Sequence, residues 1–522
     1  MANNQFGENQ LPKFQQDTLN NLSSGGNLTI GDVNVTQNHN VYLAPPPPEL
    51  TADGMLLHFQ EVRASAGARY TPEIHVDLPE AWVFEGLGRT DKFFDRIQHL
   101  YGQLCRKSKK VQPSEDTERK FPEIAQLLNI LGQKASTLAV GLKKIDRDTF
   151  TPIDFPSLAI LTQEVETAAY SSHEASRQAE SSSEAIETTQ TPQNHGYTRS
   201  RKELLGGIRH NIFQLQQVLR EIRSLVTSDS AEAANKKALL LLGEAGTGKT
   251  HLFCDVAKRR LDDSLPTVIL LGQHFNSSES WTQIMQRLHL PFRDRNEFLG
   301  ALDAAAQVRG RRALILIDAL NEGDGKRLWR DELAGILSVL NNYPRIGLAV
   351  SCRTSYKRIV IPDGLIPEKL VSLHHRGFDN YEYIATRTFF DHYRIERPNI
   401  PLLVPEFSNP LFLKIFCEGL AKRNLPRIPK GLKGITAIFN FFVDTVHDIL
   451  WKRLDYDEKD NLVRQAVDQL ACRMAETGQP WVERGEAKHI VNQILQTTSH
   501  QNSLLNNLLS EGLLSEDLTY TF

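Results

Sequence analysis

Three short, predominantly apolar runs occupy the middle of this 522-residue chain. They span residues 238–242, 313–317 and 345–352, which is too short for ordinary helices. Runs of this length without a polar face are typical of parallel strands that are buried on both sides. Ligands of open α/β sheets bind beyond the carboxyl ends of the strands. We therefore expect Asp318 and Arg353, which follow the last two runs, at one site.

Apolar residues spaced three or four apart predict helices on either side of these strands. The clearest seam runs from Leu204 to Val226 at steps of 4, 4, 3, 4, 3 and 4 residues, which makes one narrow stripe on a helix. Two partners remain open for this seam: the chain's own sheet domain, or a second copy of the chain during activation. The other segments with helical spacing are residues 91–109, 119–144, 380–393, 410–422, 434–454 and much of 458–522.

The first fifty residues differ from the rest in composition. Residues 27–43 alternate apolar with polar positions, and the parity changes at Gly31 and Asp32, which favours a tight turn. Asn, Gln, Val and Ile with almost no charge are typical of strands that pair with copies of themselves. We expect a self-templating, amyloid-like β segment, a disordered tail, or a strand that joins a neighbouring sheet. Four prolines at residues 45–48 predict a stiff spacer after it.

The glycine-rich residues 243–250 match the pattern G-x-x-x-x-G-K-[ST] without a mismatch, between a predicted strand and a predicted helix. Glycines let backbone N–H groups converge on phosphate oxygens, and the dipole of the following helix adds positive potential. The pattern predicts that Lys249 reaches the β- and γ-phosphates and that the Thr250 hydroxyl holds Mg²⁺. The chain is therefore expected to bind ATP or GTP with Mg²⁺. The expected contact residues are Gly243, Glu244, Ala245, Gly246, Thr247, Gly248, Lys249, Thr250 and His251.

Two acidic residues and one arginine are the candidates for chemistry on the bound nucleotide. Asp318, at the end of its strand, suits the metal together with Thr250, and Glu322 suits the general base that orients the attacking water. Arg353 is placed to contact the γ-phosphate, a task for which a planar guanidinium fork is well shaped. Structural roles remain open for all three: a helix N-cap, a solvated loop acid and a surface arginine.

Residues 313–324 resemble the Walker B region of STAND NTPases, the signal-transducing P-loop ATPases that include the NACHT and NB-ARC switches. Within that family the likeness is greatest to the bacterial antiviral group. Residues 270–275, 350–356 and 407–413 resemble the same family, and residues 69–73 do so weakly. The likeness covers roughly half of the chain, from about residue 200 to residue 450.

This resemblance implies an α/β P-loop NTPase fold with a parallel sheet, flanked by an N-terminal helical region and a C-terminal helical lid with a winged-helix-like region. Members of the family hold ADP in a closed form, exchange it for ATP when a partner is sensed, oligomerise and activate an effector. It also implies adenine contact near Pro410, although Asn409 and Pro410 depart from the usual Gly-x-Pro, and a proline equally suits the first turn of a helix. The implied catalytic residues are Lys249, Asp318, Glu322 and Arg353.

The expected division of the chain combines these patterns with the resemblance. The final part is expected to be an incomplete winged-helix-like region, because the chain ends where a wing should be completed and carries no long sensor repeats. The parts are a tail at residues 1–50, a mainly helical domain at 51–180, a polar linker at 181–199, the P-loop core with its preceding helix at 200–375, a helical lid at 376–454 and the last region at 455–522.

Composition indicates which partners and which cellular compartment to expect. A formal net charge of −3, from 60 basic and 63 acidic residues, makes nucleic acid an unlikely partner. Five scattered cysteines indicate reduced thiols rather than disulfides or a zinc site. No run approaches the roughly 20 apolar residues of a membrane helix, and the amino terminus has no secretion signal. We expect a cytoplasmic protein.

Three function classes follow. The first is a nucleotide-gated oligomerisation switch that forms a homo-oligomer, answers an unknown protein trigger and recruits a separate effector through residues 25–44. The second is a motor-type AAA+ ATPase acting on nucleic acid or protein. The third is a non-hydrolysing scaffold that bound nucleotide stabilises.

Overall fold

The structure, a computed structural model, falls into two compact units, Met1–Pro47 and Pro48–Phe522. The residues that it describes are 29–30, 33–34, 50–187, 195–289, 292, 294–323, 326–366, 368–397, 405–429, 435–479, 481–496, 503–511 and 513–514. The polyproline spacer, residues 188–194 of the expected polar linker and the expected wing lie outside them. The described remainder of that linker is helical, because the flanking helices run to Glu187 and begin again at His195.

The first unit contains one short hairpin among its described residues. Strand β1 (Thr29–Ile30) pairs antiparallel with β2 (Val33–Asn34), with Ile30 opposite Val33. The expected turn residues, Gly31 and Asp32, are the two that separate these strands in the sequence, and they lie outside the described residues.

Eight helices precede the main sheet in the described part of the second unit. Their starts follow local capping rules; for example, the Thr90 hydroxyl accepts a hydrogen bond from the Phe93 N–H, and Pro122 opens a helix in the first turn, where its missing N–H is not needed. The helices are α1 (Ala52–Ala66), α2 (Glu80–Gly88), α3 (Asp91–Lys110), α4 (Glu115–Lys120), α5 (Pro122–Lys143), α6 (Phe155–Glu187), α7 (His195–Val226) and α8 (Asp229–Lys236).

Five parallel strands form the main sheet. Their order across it is β4 (Thr267–Leu271), β5 (Ala313–Asp318), β6 (Ile346–Arg353), β3 (Ala238–Gly243) and β7 (Val371–His374). The strand before the P-loop, β3, therefore lies between β6 and β7. The expected α/β P-loop fold with a parallel sheet and helical flanking regions is confirmed. The strands and the helices that alternate with them are β3 (Ala238–Gly243), α9 (Lys249–Asp262), β4 (Thr267–Leu271), α10 (Ser280–Arg287), α11 (Arg295–Arg309), β5 (Ala313–Asp318), α12 (Lys326–Leu340), β6 (Ile346–Arg353), α13 (Lys357–Val360) and β7 (Val371–His374).

The two faces of this sheet bury different helices, because successive strand residues point to opposite sides. Leu239 and Leu241 lie on the face covered by α1, α2 and α9, whereas Leu240 and Leu242 lie on the face covered by α10 to α13. The cores therefore divide the chain differently from the expected domains. The buried apolar residues of α1 and α2 pack with the sheet rather than with the N-terminal helical bundle.

The seam of α7 is buried in a bundle with α3, α5 and α6. Ile212, Leu215, Leu219 and Ile222 are fully buried in that core. Periodicity established that one face of the helix is buried but carried no information on the partner. The bundle of the same chain, and not the expected sheet domain, covers these residues, and no second copy is needed to bury them.

The C-terminal helices form a further core, and Ile74 and Val76 of the N-terminal part insert into it. We call residues 67–78 the strap, because Tyr70 packs in the core on the sheet while Ile74 and Val76 pack in the C-terminal core. The helices are α14 (Glu382–His392), α15 (Pro410–Lys422), α16 (Ile435–Leu454), α17 (Leu462–Thr477), α18 (Arg484–Ile494) and α19 (Leu504–Ser510).

Candidate functional site

The P-loop joins β3 to α9 through two glycines in left-handed conformations. Gly246 has φ 75° and Gly248 has φ 94°, values that side-chain-bearing residues rarely adopt. A Cβ on Gly246 would also lie 2.9 Å from the side-chain oxygen of Asn409. The glycine spacing of the motif thus serves both the turn and the close approach of the lid.

Lys249 is folded back onto the loop that it belongs to. Its ammonium group donates hydrogen bonds to the carbonyl oxygens of Gly243 at 2.8 Å and Glu244 at 2.7 Å, and the residue is only 8% exposed. Burial lowers the pKa of Lys249 to about 8, against the opposing effect of the nearby Asp318 carboxylate. Lys249 also donates to the Thr247 hydroxyl at 3.5 Å. A buried ammonium whose partners are all neutral oxygens of its own loop is suited to receive phosphate oxygens.

The oxygen donors expected for Mg²⁺ lie together at the end of β5. The Thr250 hydroxyl donates to Asp318 Oδ2 at 2.6 Å, and the Ser351 hydroxyl donates to Asp318 Oδ1 at 2.5 Å. Asp318 is completely buried. A carboxylate and a hydroxyl within one hydrogen bond of each other fit the all-oxygen preference of Mg²⁺. Thr250 and Asp318 are therefore the residues that would hold the metal.

The turn after Asp318 is strained. Ala319 has φ 58°, a left-handed conformation for a non-glycine residue, and its N–H donates to the Ser351 hydroxyl at 2.7 Å. Such strain persists where surrounding contacts fix it, often at functional sites. Ser351 therefore orients both the metal carboxylate and the turn that leads to Glu322.

Arg353 reaches the site through strand register. It is paired with Gly243, the first residue of the P-loop, and its backbone N–H donates to the Asn321 side chain at 2.9 Å. Arg353 and Glu322 both line the same cavity as the P-loop. The four residues expected to be catalytic thus meet around one pocket.

Glu322 already has a partner, which comes from the strap. Arg69 donates to Glu322 Oε2 at 3.0 Å and to the Gln273 side-chain oxygen at 2.8 Å. Both charged side chains are about a third exposed, at 34% for Arg69 and 28% for Glu322. The expected general base is therefore held in an ion pair.

The cavity over the P-loop has a volume of about 800 Å³ and three walls. The first is the sheet edge with the P-loop, the second is the strap, and the third is the lid, including Pro410 and Lys414. His251 faces the strap: the Thr71 N–H donates to its Nδ1 at 3.5 Å, and the Tyr70 ring lies 5.2 Å away. Burial lowers the pKa of His251 to about 4, so it is a neutral acceptor at pH 7.

The lid is bonded directly to the P-loop backbone. The Leu411 N–H donates to the Gly246 carbonyl at 3.1 Å, and the Asn409 amide donates to the Ala245 carbonyl at 3.4 Å. Asn409 also caps α15 by accepting from the N–H groups of Leu411 and Phe412, and Pro410 occupies the first turn of that helix. Pro410 lines the cavity, where its contact with adenine remains an expectation.

Sequence reasoning assigned no role to several residues that the fold brings to this pocket. Ser351 and Gln273 belong to the family-like residues 350–356 and 270–275, which lie at or just beyond the carboxyl ends of two strands. That placement was a usable signal for a role in the site. Lys414 had none, because an isolated lysine in a helical pattern is ordinary. Such residues in the described part of the chain include Arg69, Gln273, Asn321, Ser351, Asn409 and Lys414.

No helix in the described part of the chain is both long and apolar enough to cross a membrane. In the same residues, no group of three or more His, Cys, Asp and Glu side chains is arranged to hold a metal ion.

Comparison with known proteins adds little to this geometry. No protein-family model and no curated protein matches the chain. Among solved structures, it is similar to Cdc6p from Pyrobaculum aerophilum, with 16% identity over 54% of this chain and 82% of that one, at a TM-score of 0.24. It is also similar to domain III of the replication initiation protein DnaA from Thermotoga maritima, with 14% identity over 50% of this chain and 85% of that one, at a TM-score of 0.19. TM-scores this low do not establish a shared fold, so we infer the P-loop fold from the strand order and the geometry of the site.

Proposed function

We propose that this chain is an ATP-binding ATPase of the STAND type that works as a nucleotide-gated oligomerisation switch in bacterial antiviral defence. The observation that carries the proposal is the hydrogen bond from Leu411 of the lid to the Gly246 carbonyl of the P-loop. The loop that would bind the phosphates is thereby tied directly to the helical lid. The family resemblance of residues 313–324 supports the same function.

The proposed chemistry is slow hydrolysis of ATP to ADP and phosphate. Lys249 exchanges its loop carbonyls for the β- and γ-phosphates, while Thr250 and Asp318 would hold Mg²⁺, which would neutralise phosphate charge. Glu322 accepts a proton from the attacking water. The water oxygen bonds to the γ-phosphorus, and the bond to the β–γ bridging oxygen breaks, leaving ADP. Arg353 stabilises charge on the γ-phosphate.

The proposed switch depends on differential affinity. A nucleotide changes the conformation only if it binds the open and closed forms unequally, and inverting a 1:99 population needs a preference of about 10⁴-fold. ADP would favour the closed form and ATP the form that assembles. A protein trigger of unknown identity would promote the exchange, in the cytoplasm.

The proposed output is a separate effector recruited through residues 25–44 when the ATPases cluster. The short hairpin of β1 and β2 supports a β-forming segment, as does the nearly uncharged composition of this stretch. A peptide of residues 25–44 should form cross-β fibres at high concentration. A peptide that stays monomeric would remove this part of the proposal.

The experiment is to identify the nucleotide in the purified protein and to measure its mass by light scattering before and after addition of ATP and Mg²⁺. We expect the purified protein to be a monomer that retains ADP. Its mass should increase after ATP and Mg²⁺ are added, because the ATP-bound form assembles. Steady turnover stimulated by nucleic acid or a protein substrate would indicate a motor. Assembly without any hydrolysis, even in a single turnover, would indicate a scaffold.

A further inference from the structure

Arg69 occupies an unusual position between two functional parts of the chain. It lies in the strap, 253 residues before Glu322, and its guanidinium group spans the Glu322 carboxylate and the Gln273 side chain. Its Nε also donates to the Ala66 carbonyl at 3.4 Å. Three partners fix the plane of the guanidinium, so Glu322 is held by a positioned group rather than by a freely rotating surface arginine.

The strap is itself held by the lid. Lys414 of α15 donates to the Thr71 hydroxyl at 2.8 Å and to the Ala68 carbonyl. These two partners flank Arg69 in the sequence. Burial lowers the pKa of Lys414, and Ile74 and Val76 anchor the strap in the same core as α15. A displacement of α15 therefore pulls on the segment that carries Arg69.

We propose that Arg69 is a positioning residue that restrains Glu322 and links its release to movement of the lid. This inference rests on the proposed function, because it assigns regulation to the general base named there. While Arg69 holds Oε2, that oxygen already accepts a charged donor and is less available to take a proton from water. When the lid moves, the strap carries Arg69 away and frees the carboxylate.

The physical alternative is that Arg69 acts on the nucleotide. It lines the cavity, and an arginine there can bind phosphate as well as carboxylate. The two roles predict opposite changes. Loss of a restraint raises kcat and leaves the affinity for ATP unchanged, whereas loss of a phosphate contact weakens binding or lowers kcat.

The test uses the full chain with Arg69→Met, which keeps the aliphatic stem but removes the charge, and Arg69→Lys, which keeps one charge. Arg96→Ala is the matched control, because Arg96 forms a comparable ion pair with Glu221 at 2.7 Å within the helical bundle. Thermal unfolding checks that each variant is folded. ATP hydrolysis is measured as kcat and KM, alone and combined with Glu322→Gln.

We expect Arg69→Met to raise kcat about threefold to tenfold with KM unchanged, which is the worth of one ordinary hydrogen bond, because solvent screens this partly exposed ion pair. The kcat of Arg69→Lys should lie between those of Arg69→Met and the wild type, and the kcat of Arg96→Ala should equal that of the wild type. With Glu322→Gln the acceleration should vanish.

An unchanged or lower kcat in folded Arg69→Met and Arg69→Lys, or a raised KM, overturns the restraint while leaving the ATPase assignment intact. If instead the wild type hydrolyses no more ATP than Glu322→Gln, the proposed function itself fails.

Discussion

The two sides of the nucleotide pocket are built in different ways. The sheet side is fixed by strand register and by one turn, which bring Lys249, Asp318 and Arg353 together through backbone geometry. The opposite side consists of the strap and the lid, which side-chain contacts hold in place. Arg69 joins the strap to Glu322, and Lys414 joins the lid to the strap, each across more than 250 residues of sequence. The first construction favours a rigid phosphate site. The second favours parts that separate and rejoin when the ligand changes.

The largest expected effect comes from removing the cation on the sheet side. Lys249→Ala should weaken ATP binding by about 1,000-fold, because several charge-assisted hydrogen bonds to phosphate are lost. Isothermal titration calorimetry measures this directly. The control is Lys258→Ala on the same helix, whose exposed side chain pairs with Asp262. Equal affinity in the two variants would contradict the assignment of the P-loop.

A second large effect separates binding from turnover. Glu322→Gln should lower kcat by about 100-fold or more, since a general base contributes on that scale, while ATP affinity changes little. The variant should remain assembled with ATP bound. Light scattering and nucleotide analysis after extended incubation test this. Wild-type turnover, together with assembly that decays at the normal rate, would exclude Glu322 as the base.

A moderate effect of pH on ATP affinity should arise at Lys249, on the sheet side. Burial lowers the pKa of Lys249 to about 8 in the free protein, and phosphate favours the charged form. Below pH 8 the proton is already present, whereas above it binding must take up a proton. ATP affinity should therefore fall about fivefold between pH 8 and pH 9, and by about tenfold for the next unit of pH, with proton uptake detectable by calorimetry in buffers of different ionisation enthalpy. Lys249→Arg should bind without this dependence, since its guanidinium does not titrate there.

The smallest effect should come from loosening the opposite side. Lys414→Met removes the bonds to Thr71 and Ala68, so release of ADP should accelerate about threefold to tenfold while kcat for bound ATP changes less. Stopped-flow release of a fluorescent ADP analogue measures the rate. Lys258→Met serves as the control. Identical rates of ADP release from the two variants would show that the contact between the lid and the strap does not help to retain ADP.

These contrasts also explain what the sequence could predict. The P-loop glycines, Asp318 and Arg353 were predictable because a local motif dictates local backbone geometry, and parallel strands bring their carboxyl ends to one edge. The contacts of Arg69 and Lys414 were not, because their partners lie far away in sequence, and the weak family likeness of residues 69–73 names no partner for Arg69. The α7 seam was intermediate, since its 3.6-residue period indicated burial but not burial within the bundle.

The central claim, that nucleotide state moves the lid relative to the sheet, can be tested by one distance measurement. Val308 of α11 and Tyr383 of α14 are 84% and 67% exposed, so both accept spin labels after replacement by cysteine in a chain with Cys105 and Cys472 replaced by serine. Double electron–electron resonance is recorded with ADP and with ATP bound to the Glu322→Gln variant. We predict a narrow distribution with ADP and a displacement of about 5 Å or more with ATP, as in other domain movements. Superimposable distributions in the two nucleotides would contradict a switch.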